Sequence, residues 1–201
     1  MANLEKLREN LIKRGFDVTI LDSSKQAAEY LNEKIHQRSV GISGSVTLQN
    51  MQTKYHLAEK LSAHNTLFWH WYNRVNVLQA MRTEVYITSV NGVAETGELV
   101  NIESRGNRIS STICGHDELY FVIGVNKIVP TYEEALWRAK NVAAPKKAQS
   151  MKKKTPCAKE GDKCYDCQCP DRICKVQVTH WMKPDFIGRA EVMIIKEEIG
   201  Y

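Results

Sequence analysis

The chain has 201 residues, of which 43% are hydrophobic and 25% are charged, and its formal net charge is +5. These values are ordinary for a globular protein and argue against a disordered or fibrous chain. No apolar run approaches the roughly 20 residues of a membrane-spanning helix, and the first residues are amphipathic without the apolar core of a signal peptide. We therefore expect one main domain, located in the cytoplasm.

Helical and strand patterns alternate in the first half of the chain. Leu4, Leu7 and Leu11 recur at helical spacing before Gly15, a helix stop, and Ser23 is a plausible N-cap of a second helix. Strands are predicted over 16–21, 39–43, 65–71 and 85–89, with helices after Ser23 and over 75–81. The order strand, helix, strand indicates parallel crossovers.

The second half continues this pattern and ends in strands. Strands are predicted over 98–103, 119–123, 175–181 and 189–195, and a helix over 132–143 begins at a capping box of Thr131 and Glu134. The last two strands read as a closing β-hairpin with its turn at 184–188. The fold class is therefore an α/β three-layer sandwich with a largely parallel sheet and a C-terminal hairpin.

A lysine-rich break divides the chain. After Pro145, residues 146–154 carry five lysines and are predicted to be a basic linker, with a phosphate-binding tail as the alternative. The α/β body is then 1–145, and a cysteine-rich metal-binding segment with the hairpin, 155–201, completes the domain. No zinc finger, RNA-recognition signature or basic zipper supports nucleic-acid binding.

A glycine-rich segment follows the second predicted strand. Gly41, Ser43, Gly44 and Ser45 lie between this apolar strand and a predicted helix. Backbone amides at such a turn can bind an anion. A tight turn without a ligand needs the same small residues, so both interpretations stay open.

The densest polar stretch outside the cysteines runs from 89 to 108. It begins directly after a predicted strand, where open α/β sheets bind ligands. Glu95, followed by Thr96 and Gly97, is a candidate nucleophile towards an acyl group or a candidate general base. The alternative is a simple hairpin turn whose asparagines bond to the backbone. Side chains suited to an organic anion occur at Asn91, Asn101, Asn107 and Arg108.

Two further polar residues lie near predicted strands, Lys127 after one and His70 within another. Lys127, next to Asn126, is expected to reach the same crevice as a phosphate or carboxylate partner. His70 lies between Trp69 and Trp71 at strand spacing. We interpret it as pointing outward from a half-buried sheet and assign it no role.

Five of the six cysteines lie between 157 and 174. In a cytosol that keeps thiols reduced, such a cluster indicates metal binding or redox activity rather than structural disulfides. The C-x2-C pair Cys164 and Cys167 has a further cysteine six residues away on each side, at Cys157 and Cys174. This spacing favours an iron–sulfur cluster slightly over zinc. A redox pair of Cys164 and Cys167, or no ligand, is the alternative, and Cys169 is the spare thiol.

These segments together resemble the LUD-domain family, named for lactate utilisation, in its shorter branch with a cysteine-rich C-terminus. The resemblance runs from about Gly41 to Tyr201 and rests on the stretches 41–47, 89–108, 124–129, 155–157, 164–167, 170–174 and 198–201. It implies a Rossmann-like fold similar to the sugar-phosphate isomerase and CoA-transferase group. It also implies an association with oxidation of L-lactate to pyruvate beside iron–sulfur partner proteins.

Three hypotheses follow from the residues and the resemblance. The first is an accessory or electron-transfer component of L-lactate oxidation, with a 4Fe-4S cluster or Zn2+ on Cys157, Cys164, Cys167 and Cys174. The second is an enzyme of the CoA-transferase or sugar-phosphate isomerase type, with Glu95 catalytic, acting on a small organic anion or a phosphorylated or CoA ligand. The third is a ligand-binding module with structural zinc. The predicted ligand-binding residues are Gly41, Ser43, Gly44, Ser45, Ser89, Asn91, Gly97, Asn101, Gly106, Asn107, Arg108, Asn126 and Lys127.

Overall fold

Two β-sheets organise the chain in the computed structural model, which describes residues 2–71 and 74–201. The central sheet has the strand order β1-β10-β7-β4-β2-β3, and all its pairings are parallel. A smaller sheet has the order β8-β5-β6-β9 and mixed pairing. The strands are β1 (Asp17–Leu21), β2 (Ser39–Ile42), β3 (Thr66–Trp69), β4 (Val85–Thr88), β5 (Gly92–Ala94), β6 (Leu99–Glu103), β7 (Glu118–Gly124), β8 (Ile128–Val129), β9 (Val176–His180) and β10 (Arg189–Ile195).

Helices connect these strands, and two of their predicted starts are confirmed. Ser23 accepts a hydrogen bond from the Gln26 amide, and Thr131 forms the capping box with Glu134. Among the described residues, no helix is long and apolar enough to cross a membrane. The helices are α1 (Leu4–Lys13), α2 (Ser24–Lys34), α3 (Val46–Tyr55), α4 (Leu57–Ser62), α5 (Arg74–Ala80), α6 (Asn107–Ile113), α7 (Tyr132–Arg138), α8 (Ala144–Ser150) and α9 (Pro156–Glu160), with a 3-10 turn over Val125–Lys127 and a π turn over Ala139–Ala143.

The core lies on both faces of the central sheet. One face packs against α2, α3 and α4, which contribute Leu31, Leu48 and Leu61. The other face packs against α1 and the small sheet, which contribute Leu7, Leu11, Val93 and Leu99. Helix α7 covers the outer side of the small sheet. The predicted α/β class with a mostly parallel sheet is confirmed, and the small sheet adds a layer that the three-layer prediction lacks.

The predicted closing hairpin is wrong, because its two strands enter different sheets. Strand β9 pairs antiparallel with β6, whereas β10 lies parallel between β1 and β7. The physical reason is burial: residues 190–195 are all buried, as in a strand covered on both faces, while Val176 and Gln177 of β9 are exposed. A continuous apolar run of this kind is typical of a central parallel strand.

The helix does not end at Pro145. The π turn joins α7 to α8, and Pro145 occupies an N-terminal position of α8, where its missing N–H costs little. The lysine-rich stretch predicted as a linker is therefore helical as far as Ser150. After α9, residues 161–175 form no regular element and carry Cys164, Cys167 and Cys174 to the start of β9.

Candidate functional site: a cationic cavity beside the cysteine segment

Loops after four neighbouring central strands meet at one cavity. Residues 44–47 follow β2, His70 follows β3, Ser89 follows β4 and Lys127 follows β7. The chain order changes direction at β2, since β3 lies on one side of it and β4 on the other. Carboxyl ends of parallel strands at such a point form the usual ligand crevice. The cavity volume is about 570 Å³, which suits a cofactor-sized ligand.

Cations outnumber acids on the cavity wall. The remaining wall includes residues 102–105, the first two residues of α6, part of α8, Lys153 and residues 170–175 of the cysteine segment. The lining cations are Arg105, Arg108, Lys127, Lys147, Lys153, Arg172 and Lys175, and the lining acids are Glu103 and Asp171. A concave surface of one predominant charge concentrates ions of the opposite charge. The cavity is therefore suited to anions.

Lys127 is buried at the inner end of this cavity. Its Nζ atom lies 2.7 Å from Thr47 Oγ1, 2.8 Å from Ser89 Oγ and 3.2 Å from Val90 O. Within the described residues, no carboxylate lies at ion-pair distance from this amine. Burial lowers the pKa of Lys127 well below its usual value, and the charge of Arg138 lowers it further.

Two arginines surround this lysine. Arg108 donates to Ser89 O at 3.3 Å and to Ile102 O at 3.0 Å, so backbone carbonyls fix its guanidinium. Arg138 donates to the carbonyl oxygens of Asn91 and Asn126, and burial lowers its pKa to about 10. Neutral oxygens therefore satisfy most of these donors, and the inner cavity keeps an excess of positive charge.

His70 supplies an acceptor to the same cavity. The Gly44 amide donates to His70 Nδ1 at 3.3 Å, and Asn107 Nδ2 lies 3.1 Å from the same atom. A backbone amide can only donate, so Nδ1 is unprotonated and the neutral ring carries its proton on Nε2, 3.4 Å from the Tyr86 hydroxyl. Burial lowers the pKa of His70 to about 4, and Arg108 contributes to the shift. The interpretation of His70 as an outward-facing surface residue is wrong.

About half of the predicted ligand-binding residues line this cavity. They are Gly44, Ser45, Ser89, Asn91, Asn107, Arg108 and Lys127. The other predicted residues lie outside the cavity wall: Gly41, Ser43, Gly97, Asn101, Gly106 and Asn126.

Three of these remaining residues have contacts or positions within the fold. A Cβ atom on Gly41 would lie 2.5 Å from Ala80 O, so glycine lets β2 approach α5. Asn126 accepts from the Ile199 amide and donates to Gly200 O, which ties down the C-terminal residues. Asn101 is fully buried within β6.

Glu95 lies on the turn between β5 and β6, outside the cavity wall. The Asn3 amide donates to its carboxylate at 2.8 Å, and Lys6 Nζ lies 3.3 Å away. These contacts lower the pKa of Glu95, with the Asn3 hydrogen bond as the largest cause. The carboxylate is therefore ionised and engaged with α1, away from the cavity wall, and its catalytic role stays a prediction.

The cysteine segment is held by its own short contacts. The Asp166 amide donates to Cys164 Sγ at 3.4 Å, and Arg172 donates to the carbonyl oxygens of Cys167 and Cys174, each at 2.7 Å. Burial raises the pKa of the Cys174 thiol to about 11, and the nearby Cys164, Cys157 and Cys167 raise it further. The other three predicted ligands therefore lie within electrostatic range of Cys174.

The described side chains of this segment are not arranged as a metal site. In the part of the chain that the structure describes, no group of three or more His, Cys, Asp or Glu side chains is arranged to hold a metal ion. The donor set nevertheless fits a metal in its chemistry, since four thiolates suit zinc or an iron–sulfur cluster. Cys169 Sγ lies 3.3 Å from Cys167 Sγ, so the spare thiol is next to a predicted ligand.

Comparison with known proteins identifies the family of this chain. The sequence model of the LUD domain matches residues 4–195. The chain belongs to the LUD-domain family. This family is associated in general with lactate utilisation.

One solved structure supports the fold of this LUD-domain protein. It is a DUF162 family protein from Deinococcus radiodurans, which is 11% identical and has a TM-score of 0.53, over 96% of this chain and 95% of that chain. At this identity the similarity concerns the fold alone. No functionally curated protein matches the chain.

Sequence reasoning missed two parts of the LUD-domain cavity. His70 was placed inside the predicted strand 65–71, but β3 ends at Trp69, so His70 is at a strand end like Ser89 and reaches the cavity. Residues 170–175 and Lys147 reach the cavity through tertiary packing, which no local pattern in the sequence indicates. The cysteine segment therefore forms part of the wall of the ligand crevice.

Proposed function

We propose that this LUD-domain protein is an accessory or electron-transfer component of L-lactate oxidation to pyruvate. It binds the small organic acid anion in the cationic cavity and holds an iron–sulfur cluster on Cys157, Cys164, Cys167 and Cys174. The observation that carries the proposal is that Cys174 and Lys127 line the same cavity. A redox group held by that segment would adjoin the bound acid.

The charge distribution supports an organic acid as the ligand. Backbone carbonyls anchor Arg108, and its contact with Glu103 is long, with 3.9 Å between Nε and Oε1, so its guanidinium can pair with a carboxylate. Arginine suits this task because its planar fork matches carboxylate geometry.

The protein's own groups around the cysteines suit a sulfur-ligated centre. When bound, the cluster would supply one-electron acceptance and release. The Asp166 amide donates to Cys164 Sγ, and hydrogen bonds to sulfur of this kind tune such centres. Arg172 fixes the backbone on both sides of the loop through Cys167 O and Cys174 O.

Anaerobic reconstitution tests the metal part of the proposal. The full chain should take up iron and sulfide and give an EPR signal after reduction, and Cys174→Ser should lose both. Cys114→Ser, at an exposed cysteine outside the segment, is the matched control and should keep them. Stoichiometric zinc without iron would refute electron transfer and leave a ligand-binding module with structural zinc.

Calorimetry tests the ligand part independently of the metal. L-lactate and pyruvate should bind the wild-type chain, and Arg108→Gln should weaken binding on the order of 10- to 100-fold, since a hydrogen bond to a charged group contributes about 1.5–3 kcal/mol. Arg8→Gln, on the exposed side of α1, should bind as the wild type does. Equal affinity in all three proteins would contradict the assignment of this cavity.

The size of the cavity favours a second candidate, an enzyme acting on a larger phosphorylated anion or CoA thioester. A three-carbon acid leaves much of a 570 Å³ space unfilled, and Lys147, Lys153 and Lys175 extend the positive charge outward. A thermal-shift screen distinguishes the two candidates. Stabilisation by sugar phosphates or CoA esters, without stabilisation by hydroxy acids, would favour this second function.

A further inference from the structure

The amine of Lys127 has partners that suit its neutral form. A neutral amine donates two hydrogen bonds and accepts one. Val90 O can only accept, whereas the hydroxyls of Thr47 and Ser89 can donate or accept. The three partners therefore satisfy an uncharged Nζ as fully as an ammonium group.

The surroundings of this amine disfavour its charge. Lys127 is buried, no described carboxylate pairs with it, and Arg108 and Arg138 are its charged neighbours. Burying an unpaired charge is costly, so such a group loses its proton instead. A lysine that is desolvated or adjacent to another cation is the kind that acts as a nucleophile towards carbonyl groups. Because Lys127 lines the cavity, its nucleophilic atom adjoins the space for a ligand.

We propose that Lys127 condenses with the carbonyl group of a bound 2-oxo acid to form an imine. The inference rests on the proposed function, because it needs an organic acid in this cavity. The lone pair of Nζ attacks the carbonyl carbon and gives a carbinolamine. The carbon–oxygen bond then breaks, the oxygen leaves as water with the two protons from nitrogen, and a C=N double bond remains. No oxidant or reductant takes part.

Neighbouring groups supply what this condensation requires. Arg108 pairs with the carboxylate of the acid and orients the carbonyl carbon. The hydroxyls of Thr47 and Ser89 lie 3.3 Å apart, and both contact Nζ, so they can carry a proton from nitrogen to the departing oxygen. A 2-hydroxy acid has no carbonyl group beside its carboxylate and therefore binds without reacting.

Borohydride trapping tests the imine on the unmodified full chain. The protein is incubated with pyruvate and sodium borohydride, digested, and mapped by mass spectrometry. The expected result is one carboxyethyl adduct per chain, on the peptide that contains Lys127. L-lactate in place of pyruvate should give no adduct. Adducts on Lys147, or spread over exposed lysines, would overturn the proposal.

Two variants and a binding measurement complete the test. Lys127→Met should lose the adduct, and Lys196→Met, at an exposed lysine paired with Asp22, should keep it. Calorimetric binding of pyruvate without a Lys127 adduct would refute the imine and leave the proposed function intact. Failure of both pyruvate and L-lactate to bind would refute both.

Discussion

The inner cavity and the cysteine segment form one site but are built differently. Lys127 ends the 3-10 turn that follows β7 of the central sheet, and it has three hydrogen-bond partners within 3.2 Å. Residues 161–175 form no regular element, and Asp166 among them has a left-handed backbone with φ of 45°. The first region is organised by the core, whereas the second depends on a few side-chain contacts. Regions of the second kind open locally at low free-energy cost.

Because of this difference, a bound metal would affect the cysteine segment more than the inner cavity. The cysteine segment is inserted in the chain ahead of β10, the strand that lies between β1 and β7 in the central sheet. It is therefore attached at both ends to the folded body. Metal binding would order this segment, while the anion-binding end is already formed without it.

The largest expected effect tests the claim that β10 belongs to the core. Ile194 is fully buried in this strand, so Ile194→Ala should lower the free energy of unfolding by about 2–5 kcal/mol through lost burial and a cavity. Urea denaturation measures the change. A loss below about 1 kcal/mol would contradict the central position of β10.

The cysteine segment provides the contrast for that experiment. In metal-free protein, Cys174→Ser should change the free energy of unfolding by less than about 1 kcal/mol, because the side chain is only partly buried in an irregular segment. Val176→Ala, at an exposed position of β9, should behave similarly. A loss for Cys174→Ser as large as that for Ile194→Ala would remove the distinction between the two regions.

An intermediate effect concerns the acid side of the stability curve. The pKa of His70 is about 4 in the folded chain and near 6.5 when unfolded. As pH falls from about 6.5 to 4, the unfolded chain binds this proton first, so the free energy of unfolding decreases, and the decrease is complete below 4. Because the ring is partly exposed, we expect a contribution of about 1–2 kcal/mol.

His70→Gln isolates this contribution. His116 and His180 also have lowered pKa values from burial, so the wild-type curve alone does not assign the effect. The difference between wild type and variant should grow only between pH 6.5 and 4. Parallel stability curves, or an NMR titration of His70 near its unperturbed pKa, would show that the cavity does not hold the ring neutral.

The sequence predicted the parts of the site that depend on local rules. Ser89, Asn91 and Lys127 follow predicted strands, and parallel strands bring their carboxyl ends together, so their location in one crevice was accessible from the pattern. The fold class followed in the same way from alternating helices and strands. The N-caps at Ser23 and Thr131 could be predicted because capping is a short-range interaction.

Long-range pairing could not be predicted in this way. Strands β9 and β10 are separated by a short connection, which favours a hairpin, yet the burial of β10 on both faces directs it into the central sheet. The same limitation affected Glu95. Its sequence neighbours Thr96 and Gly97 indicate a turn, but nothing local indicates that α1 would cover that turn.

The smallest expected effect tests the role of Glu95. Glu95→Gln keeps an acceptor for the Asn3 amide but loses the charge that faces Lys6, so the free energy of unfolding should fall by about 1 kcal/mol or less. Binding of L-lactate and pyruvate should match the wild type, because Glu95 lies outside the cavity wall. Glu5→Gln, at an exposed glutamate on α1, is the control for the loss of one charge. Loss of ligand binding in Glu95→Gln alone would mean that α1 and this turn rearrange to bring the carboxylate to the ligand.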